Sequence, residues 1–210
     1  LFEGCCGGGG RFDAGMLYYC PQIWCSDDTD AHERTVIQYG TSFFYPVSTV
    51  GSHVSAVPNH QTGRVTSIRT RGTVAMAGSF GYELDLNKLD EEEKKEVSEQ
   101  VKSYKKYQNL IYNGLYYRLC DPRESGMSFW EFVSEDSLEV LVQGVVYRAQ
   151  PNALRRRLRL AGLSEEAKYR VTGEESIYSG KTLMAGGILL PEIKGDDMAV
   201  QIHLKRLSTL

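Results

Sequence analysis

The 210-residue sequence predicts an α/β segment followed by an all-β segment. Two observations carry this. Up to about Pro122, short apolar runs alternate with glycine loops and helical patterns, which predicts parallel strands joined by crossover helices. From about Glu124 onward, short runs of period-two alternation separated by turns predict a small antiparallel β-sandwich. Between them lies "CDPRESG", a Pro-, Gly- and charge-rich stretch of the kind that separates domains, giving expected units 1–122 and 123–210.

Residues 1–3 read as the tail of a buried strand, and the four consecutive glycines at 7–10 as the loop after it. A short apolar stretch at 15–19 leads to a second strand, 22–25, ending at Ser26-Asp27. Residues 31–39 form a helix, with Asp30 at the N-cap and Glu33 at capping-box spacing. The aromatic run 42–47 is read as a third strand, and 50–64 as a polar loop containing His53 and His60. A further helix begins within 66–76. The plainest element follows Asp90, an N-cap with acid behind it. Val97, Val101, Tyr104, Leu110 and Ile111 then recur at helical spacing, lysines lie opposite, and Asn113-Gly114 supplies the stop. In the β-rich part, the runs 129–134, 138–148, 157–163, 167–173, 176–190 and 198–207 are expected as strands.

Bulk properties narrow the function. Hydrophobic residues make up 41% and charged residues 24%, ordinary for a soluble globular chain. A net charge of −3 argues against a nucleic-acid partner. No apolar run approaches the roughly 20 residues that cross a bilayer, so no membrane association is expected. The opening Leu1-Phe2-Glu3 carries no basic leader, and a cytoplasmic location is expected. It also reads as the middle of an element, which suggests a segment of a longer protein. Five irregularly spaced cysteines without a CxxC pair predict reduced thiols, no disulfide framework and no zinc site. No metal or cofactor is expected.

Asp27, at a strand end, is a candidate general acid/base or else a solvated loop residue. Asp30 reads mainly as a cap, and Asp28 either orients its neighbour or faces water. The glycine run is followed by Arg11-Phe12 rather than Lys-Ser/Thr, so it is no phosphate-binding P-loop. It is either a tight turn or a backbone surface that meets a neutral polar ligand. Cys5 and Cys6 lack the setting of a nucleophile, and Cys5 reads as a small polar pocket wall. Trp24 is a core residue or a stacking face for a sugar ring. His53 and His60 read as surface or structural, and Arg155, Arg157 and Arg159 as one solvated strand face.

The stretches Glu3–Asp13 (E-x-C-x-G-G-G-G-R-F-D), Gly15–Tyr19 (G-M-L-Y-Y) and Ser26–Asp30 (S-D-x-x-D) together resemble the C-terminal part of the catalytic barrel of glycoside hydrolase family 36 α-galactosidases of the raffinose/melibiose type. The likeness is close over residues 1–64. It implies the C-terminal part of a (β/α)8 (TIM) barrel followed by an antiparallel β-sandwich. It also implies hydrolysis of terminal α-galactosides with retention, which uses two carboxylates about 5–5.5 Å apart. Within the S-D-x-x-D motif the acid/base falls on Asp27. Cys5 and Gly7 fall on the galactose-contacting wall, with Trp24 a weaker transfer. Cys6 and Cys25 stand where a small Ser or Ala and a Thr are usual. The nucleophile's K-x-D motif does not occur at a suitable strand end here. The resemblance therefore implies a fragment that carries the acid/base, holds roughly the last three barrel strands and is inactive alone. It implies a galactoside oligosaccharide substrate and a homo-oligomeric full-length protein. The residues also leave open a non-catalytic carbohydrate-binding or scaffold module, and a galactosyltransferase of raffinose-synthase type.

Overall fold

A computed structural model describes residues 2–208; Leu1, assigned above to the first strand, lies outside the described residues. The chain divides into two compact units, the first ending at Gln108 and the second beginning at Asn109.

The first unit is built on four parallel strands in the order β1 (Glu3–Gly4), β2 (Gln22–Trp24), β3 (Val50–Ser55) and β4 (Ser79–Glu83). Helix α1 (Ala31–Thr41) follows β2 and α2 (Ile68–Ala75) follows β3, the crossovers that parallel strands require. Asp30 caps α1 and Ser67 caps α2, each side chain accepting backbone N–H groups of the first turn. Helix α3 (Glu91–Asn113) begins as expected: Asp90 Oδ1 accepts the Glu93 N–H at 2.8 Å. Along it Tyr104, Tyr107, Leu110 and Ile111 are buried.

Three expectations are corrected. The run 42–47 is not a strand. The Ser42 N–H bonds to the Gln38 carbonyl and the Tyr45 N–H to that of Thr41, so the chain leaves α1 in helical turns; Phe44 stays 83% exposed. The third strand is instead β3, within the segment read as a polar loop. Its period-two signal was hidden because Gly51, His53 and Ser55 occupy one face, while Val50, Ser52 and Val54 occupy the other. Strand β4 was not anticipated either, and with it the parallel strands number four rather than three.

The second unit contains a six-stranded antiparallel sheet in the order β10-β9-β12-β7-β6-β5, made of β5 (Leu115–Arg118), β6 (Met127–Val133), β7 (Glu139–Val146), β9 (Lys168–Val171), β10 (Ile177–Ser179) and β12 (Met198–Arg206). A two-stranded sheet pairs β8 (Arg157–Leu158) with β11 (Ile188–Leu189). Strand β5 precedes the boundary expected near Pro122, yet it hydrogen-bonds to β6 throughout. A short helix, α4 (Pro122–Ser125), occupies the "DPRES" stretch, capped by Asp121. The run 176–190 is not one strand. Ser179 caps a helix, α5 (Gly180–Ala185), between β10 and β11, its Oγ accepting the Thr182 N–H at 3.1 Å. Phe129, Val142, Leu158, Leu183, Val200 and Leu204 belong to one apolar core. Glu131 is fully buried: its Oε1 accepts the Ala161 N–H at 2.5 Å, and its Oε2 has no partner among the described residues. Burial pushes this carboxyl up to about 8 against the opposing effect of that hydrogen bond.

Candidate active site

The strand register brings β3 and β4 to a common C-terminal edge, with Ser55 opposite Glu83, while β2 ends at Trp24 beside Gly51 and its connection to α1 continues toward the same edge. Ligand crevices in parallel α/β sheets form at that edge. A cavity of about 360 Å³ lies there, and its lining includes Trp24, Asp27, Thr29, Ser55, His60 and Glu83.

Asp27 stands on the short connection from β2 to α1. Its Oδ1 accepts the indole N–H of Trp24 at 3.1 Å. The Trp24 ring meets the His53 imidazole at 4.9 Å between centroids and 35° between planes. Gly81 makes room for the imidazole, whereas Gly51 leaves the indole at ordinary contact distance. A Cβ on Gly51 would sit 3.4 Å from Trp24 Cε3, and one on Gly81 would sit 2.7 Å from His53 Cδ2. Burial holds His53 below the usual imidazole range against the opposing charges of Glu3 and Glu83, so the ring is neutral at pH 7.

Two devices seat this connection. One is the glycine loop. Gly8 and Gly9 have positive φ, and Cβ atoms there would lie 2.6 Å from the Asp27 nitrogen and 2.7 Å from the Cys25 carbonyl oxygen. The loop thus packs its bare backbone onto the chain that carries Asp27. The other is Arg34, on α1 and only 4% exposed. Its Nε donates to the Asp28 carbonyl at 2.6 Å and its Nη2 to the Ser26 carbonyl at 2.7 Å. Its Nη1 reaches the Gly51 carbonyl at 3.2 Å and Cys25 Sγ at 2.9 Å. The guanidinium carbon lies 4.4 Å from the Trp24 ring centroid. Burial pushes Arg34 down, while Cys25, Asp28, Glu83 and Asp27 favour its charge.

The three aspartates divide the work. Asp28 Oδ1 accepts the Asp30 N–H at 3.0 Å, which shapes the turn. Asp30 caps α1, bonds to the Thr62 hydroxyl and pairs with Arg64 at 2.7 Å. Burial raises its carboxyl, but the bonds from Thr62, Arg64 and the His32 N–H outweigh this and hold it below the usual range. The end of β3 and the loop after it close over the same connection: Ser55 Oγ donates to the Thr29 carbonyl at 2.8 Å and Gln61 Nε2 to the Asp27 carbonyl at 3.3 Å.

Family models match most of the chain: "Melibiase" over residues 1–114 and "Glycosyl hydrolase family 36 C-terminal domain" over residues 127–204. The chain belongs to glycoside hydrolase family 36. Among relatives in the family, it is 56% identical over 207 residues to the bifunctional alpha-galactosidase/sucrose kinase AgaSK of Mediterraneibacter gnavus, covering 99% of this chain and 22% of that protein. It is 51% identical over 205 residues to alpha-galactosidase AgaA of Geobacillus stearothermophilus, covering 98% and 28%. The solved galactosidase domain of AgaSK superposes with a TM-score of 0.97 at 56% identity, over 99% of this chain and 29% of that one. A family 36 structure of AgaA in complex with raffinose gives 0.95 at 50% identity, over 99% and 29%. The chain thus spans about a quarter of the length of the curated relatives it matches.

Of the residues singled out from the sequence, Asp27 and Trp24 line the cavity together. Cys5 is exposed, and a Cβ on Gly7 would meet none of the described residues within 4 Å; neither residue is in that lining. Arg34 and Glu83 were missed. Arg34 lies with Ala31, Thr35 and Gln38 on the buried side of α1, a stripe that is mostly polar and so gives no apolar periodicity in the sequence. Of the two histidines read as surface or structural, His60 is exposed and lines the cavity, and His53 braces the tryptophan. Among the described residues no group of three or more His, Cys, Asp or Glu is placed to hold a metal ion.

Proposed function

We propose that this chain is the part of a longer, retaining α-galactosidase that supplies the catalytic acid/base, Asp27. The observation that carries this reading is the placement of Asp27: a carboxylate at the C-terminal edge of a parallel sheet, held by an indole N–H and lining a cavity. In the first step the Asp27 carboxyl gives its proton to the glycosidic oxygen. The C1–O bond breaks, and a second carboxylate, on chain outside these 210 residues, bonds to C1. In the second step Asp27, now ionised, takes a proton from the water that attacks C1 and frees the nucleophile. The four parallel strands are read as an arc of a (β/α)8 barrel, and the two antiparallel sheets as a C-terminal β-sandwich that includes β5, so that the boundary falls before Leu115 rather than near Pro122.

The proposed substrates are terminal α-D-galactosides such as melibiose and raffinose-type oligosaccharides, supported by the alpha-galactosidase names of the relatives and the raffinose complex of AgaA. Trp24, whose ring is buried against Arg34 and His53, contributes to the substrate side through the indole N–H that holds Asp27, and Cys5 and Gly7 belong to the wall completed by the rest of the barrel. The proposed setting is a cytoplasmic homo-oligomer; no helix of the described residues is long and apolar enough to cross a membrane. The test incubates the full-length protein with raffinose, alone and with excess sucrose. Release of galactose and sucrose, with α-galactose formed first, supports the reading. Galactose binding without turnover, or net transfer of galactose to sucrose, overturns it in favour of a binding module or a transferase.

A further inference from the structure

We propose that Arg34 is the positioning residue for Asp27, an inference that rests on the acid/base reading above. The guanidinium grips the carbonyls on both sides of Asp27, those of Ser26 and Asp28. It anchors the same fork to β3 through the Gly51 carbonyl. It also lies against the ring of Trp24, whose N–H holds the Asp27 carboxylate. One buried side chain therefore fixes the backbone that presents Asp27 and the indole that aims it.

The chemistry of the fork explains why arginine is required. The four bonds spread over Nε and both terminal nitrogens, a planar arrangement that an ammonium cannot reproduce. The partners are carbonyls and a thiol rather than a carboxylate, so the positive charge is not consumed in a close ion pair. It acts on the acids around it, Asp27 among them. A departure of about 1 Å in such a seat costs on the order of 100-fold in rate.

The test is made in the full-length enzyme with Arg34→Lys, Asp27→Ala and the double variant. Each is assayed on raffinose, whose leaving group needs protonation, and on a nitrophenyl galactoside, whose leaving group does not. Arg34→Lys is expected to lose about 10- to 100-fold in kcat/KM on raffinose and less than about fivefold in kcat/KM on the aryl substrate, because kcat/KM reports the step in which the leaving group departs, whereas the water step served by the same Asp27 is common to both substrates. The double variant should be little worse on raffinose than Asp27→Ala alone, because the two residues act as one unit. Equal losses on both substrates, or losses that multiply in the double variant, overturn the proposal and leave Arg34 a structural residue. Trp24→Phe keeps a ring against the guanidinium but removes the indole N–H. It should show the same leaving-group selectivity, which keeps the idea testable if Arg34→Lys does not fold; equal loss on both substrates contradicts it. If Asp27→Ala itself lacks selectivity, the acid/base reading fails rather than the role of Arg34 alone.

Discussion

Replacing Gly8 by alanine perturbs the seat of Asp27 without touching any side chain of the cavity. Two costs follow. Gly8 has φ +73°, a conformation that costs an L-residue about 1–2 kcal/mol. The new Cβ would also stand 2.6 Å from the Asp27 nitrogen, against backbone that has no flexible end to move aside. Reaching ordinary van der Waals contact requires the two segments to part by about 0.8 Å. A shift of that size at the proton donor predicts a fall in kcat on raffinose of about 10- to 100-fold. Gly173→Ala is the control. Its φ is +87°, but none of the described residues lies within 4 Å of its Cβ position, so it bears the conformational cost alone. The assay pairs calorimetric Tm with kcat for the full-length protein. Both variants should melt lower, Gly8→Ala by more because it adds the backbone clash to the conformational cost, and only Gly8→Ala should lose activity. If Gly8→Ala keeps kcat within twofold of wild type, the glycine loop does not position Asp27.

Two further substitutions test the energetics. Glu131→Gln keeps an acceptor for the Ala161 N–H but cannot ionise. Wild-type Glu131 stays protonated when folded up to about 8, whereas the unfolded chain ionises near 4.5, so wild-type stability declines as pH rises between those values, by at most about 5 kcal/mol. Urea midpoints should therefore favour the variant increasingly toward pH 9, and parallel pH profiles would refute the burial argument. Asp30→Ala removes the α1 cap and the Arg64 partner, and should destabilise by about 1–2 kcal/mol at pH 7. Because the folded carboxyl is held low, its stabilisation is present above the unfolded value and lost as pH falls through the folded one. The gap between variant and wild type should accordingly close in strong acid; a gap constant down to pH 2 would contradict this.

Helix signals were the most legible part of the chain. Asp30 and Asp90 announced their helices because an N-cap is a local interaction, decided within three residues. Strands β3 and β4 were hidden for the opposite reason. The faces that end in the cavity-lining Ser55 and Glu83 carry Gly51 and His53, and Ser79 and Gly81, so small and polar residues erased the apolar alternation that marks a strand. The aromatic run after α1 misled because Phe43 and Phe44 are largely exposed, and β propensity says little for side chains that no sheet buries. In the site, Asp27 was visible as the acid at a strand end. Arg34 was not, because an arginine within a helix reads as a solvated face until the carbonyls that meet it are known. The roles of Gly8 and Gly9 were open for the same reason: close approach to the backbone of Cys25 and Asp27 is a tertiary fact.

Every role assigned to the site depends on Asp27 giving its proton to the departing sugar. The decisive comparison is kcat/KM for Asp27→Ala on raffinose and on a nitrophenyl galactoside, under conditions where formation of the glycosyl-enzyme is measured. A positioned acid contributes about 100- to 10,000-fold when the leaving group is poor and little when it is good. A loss in that range is expected on raffinose, and less than about tenfold on the aryl substrate. Equal, mild losses on both would contradict proton donation by Asp27.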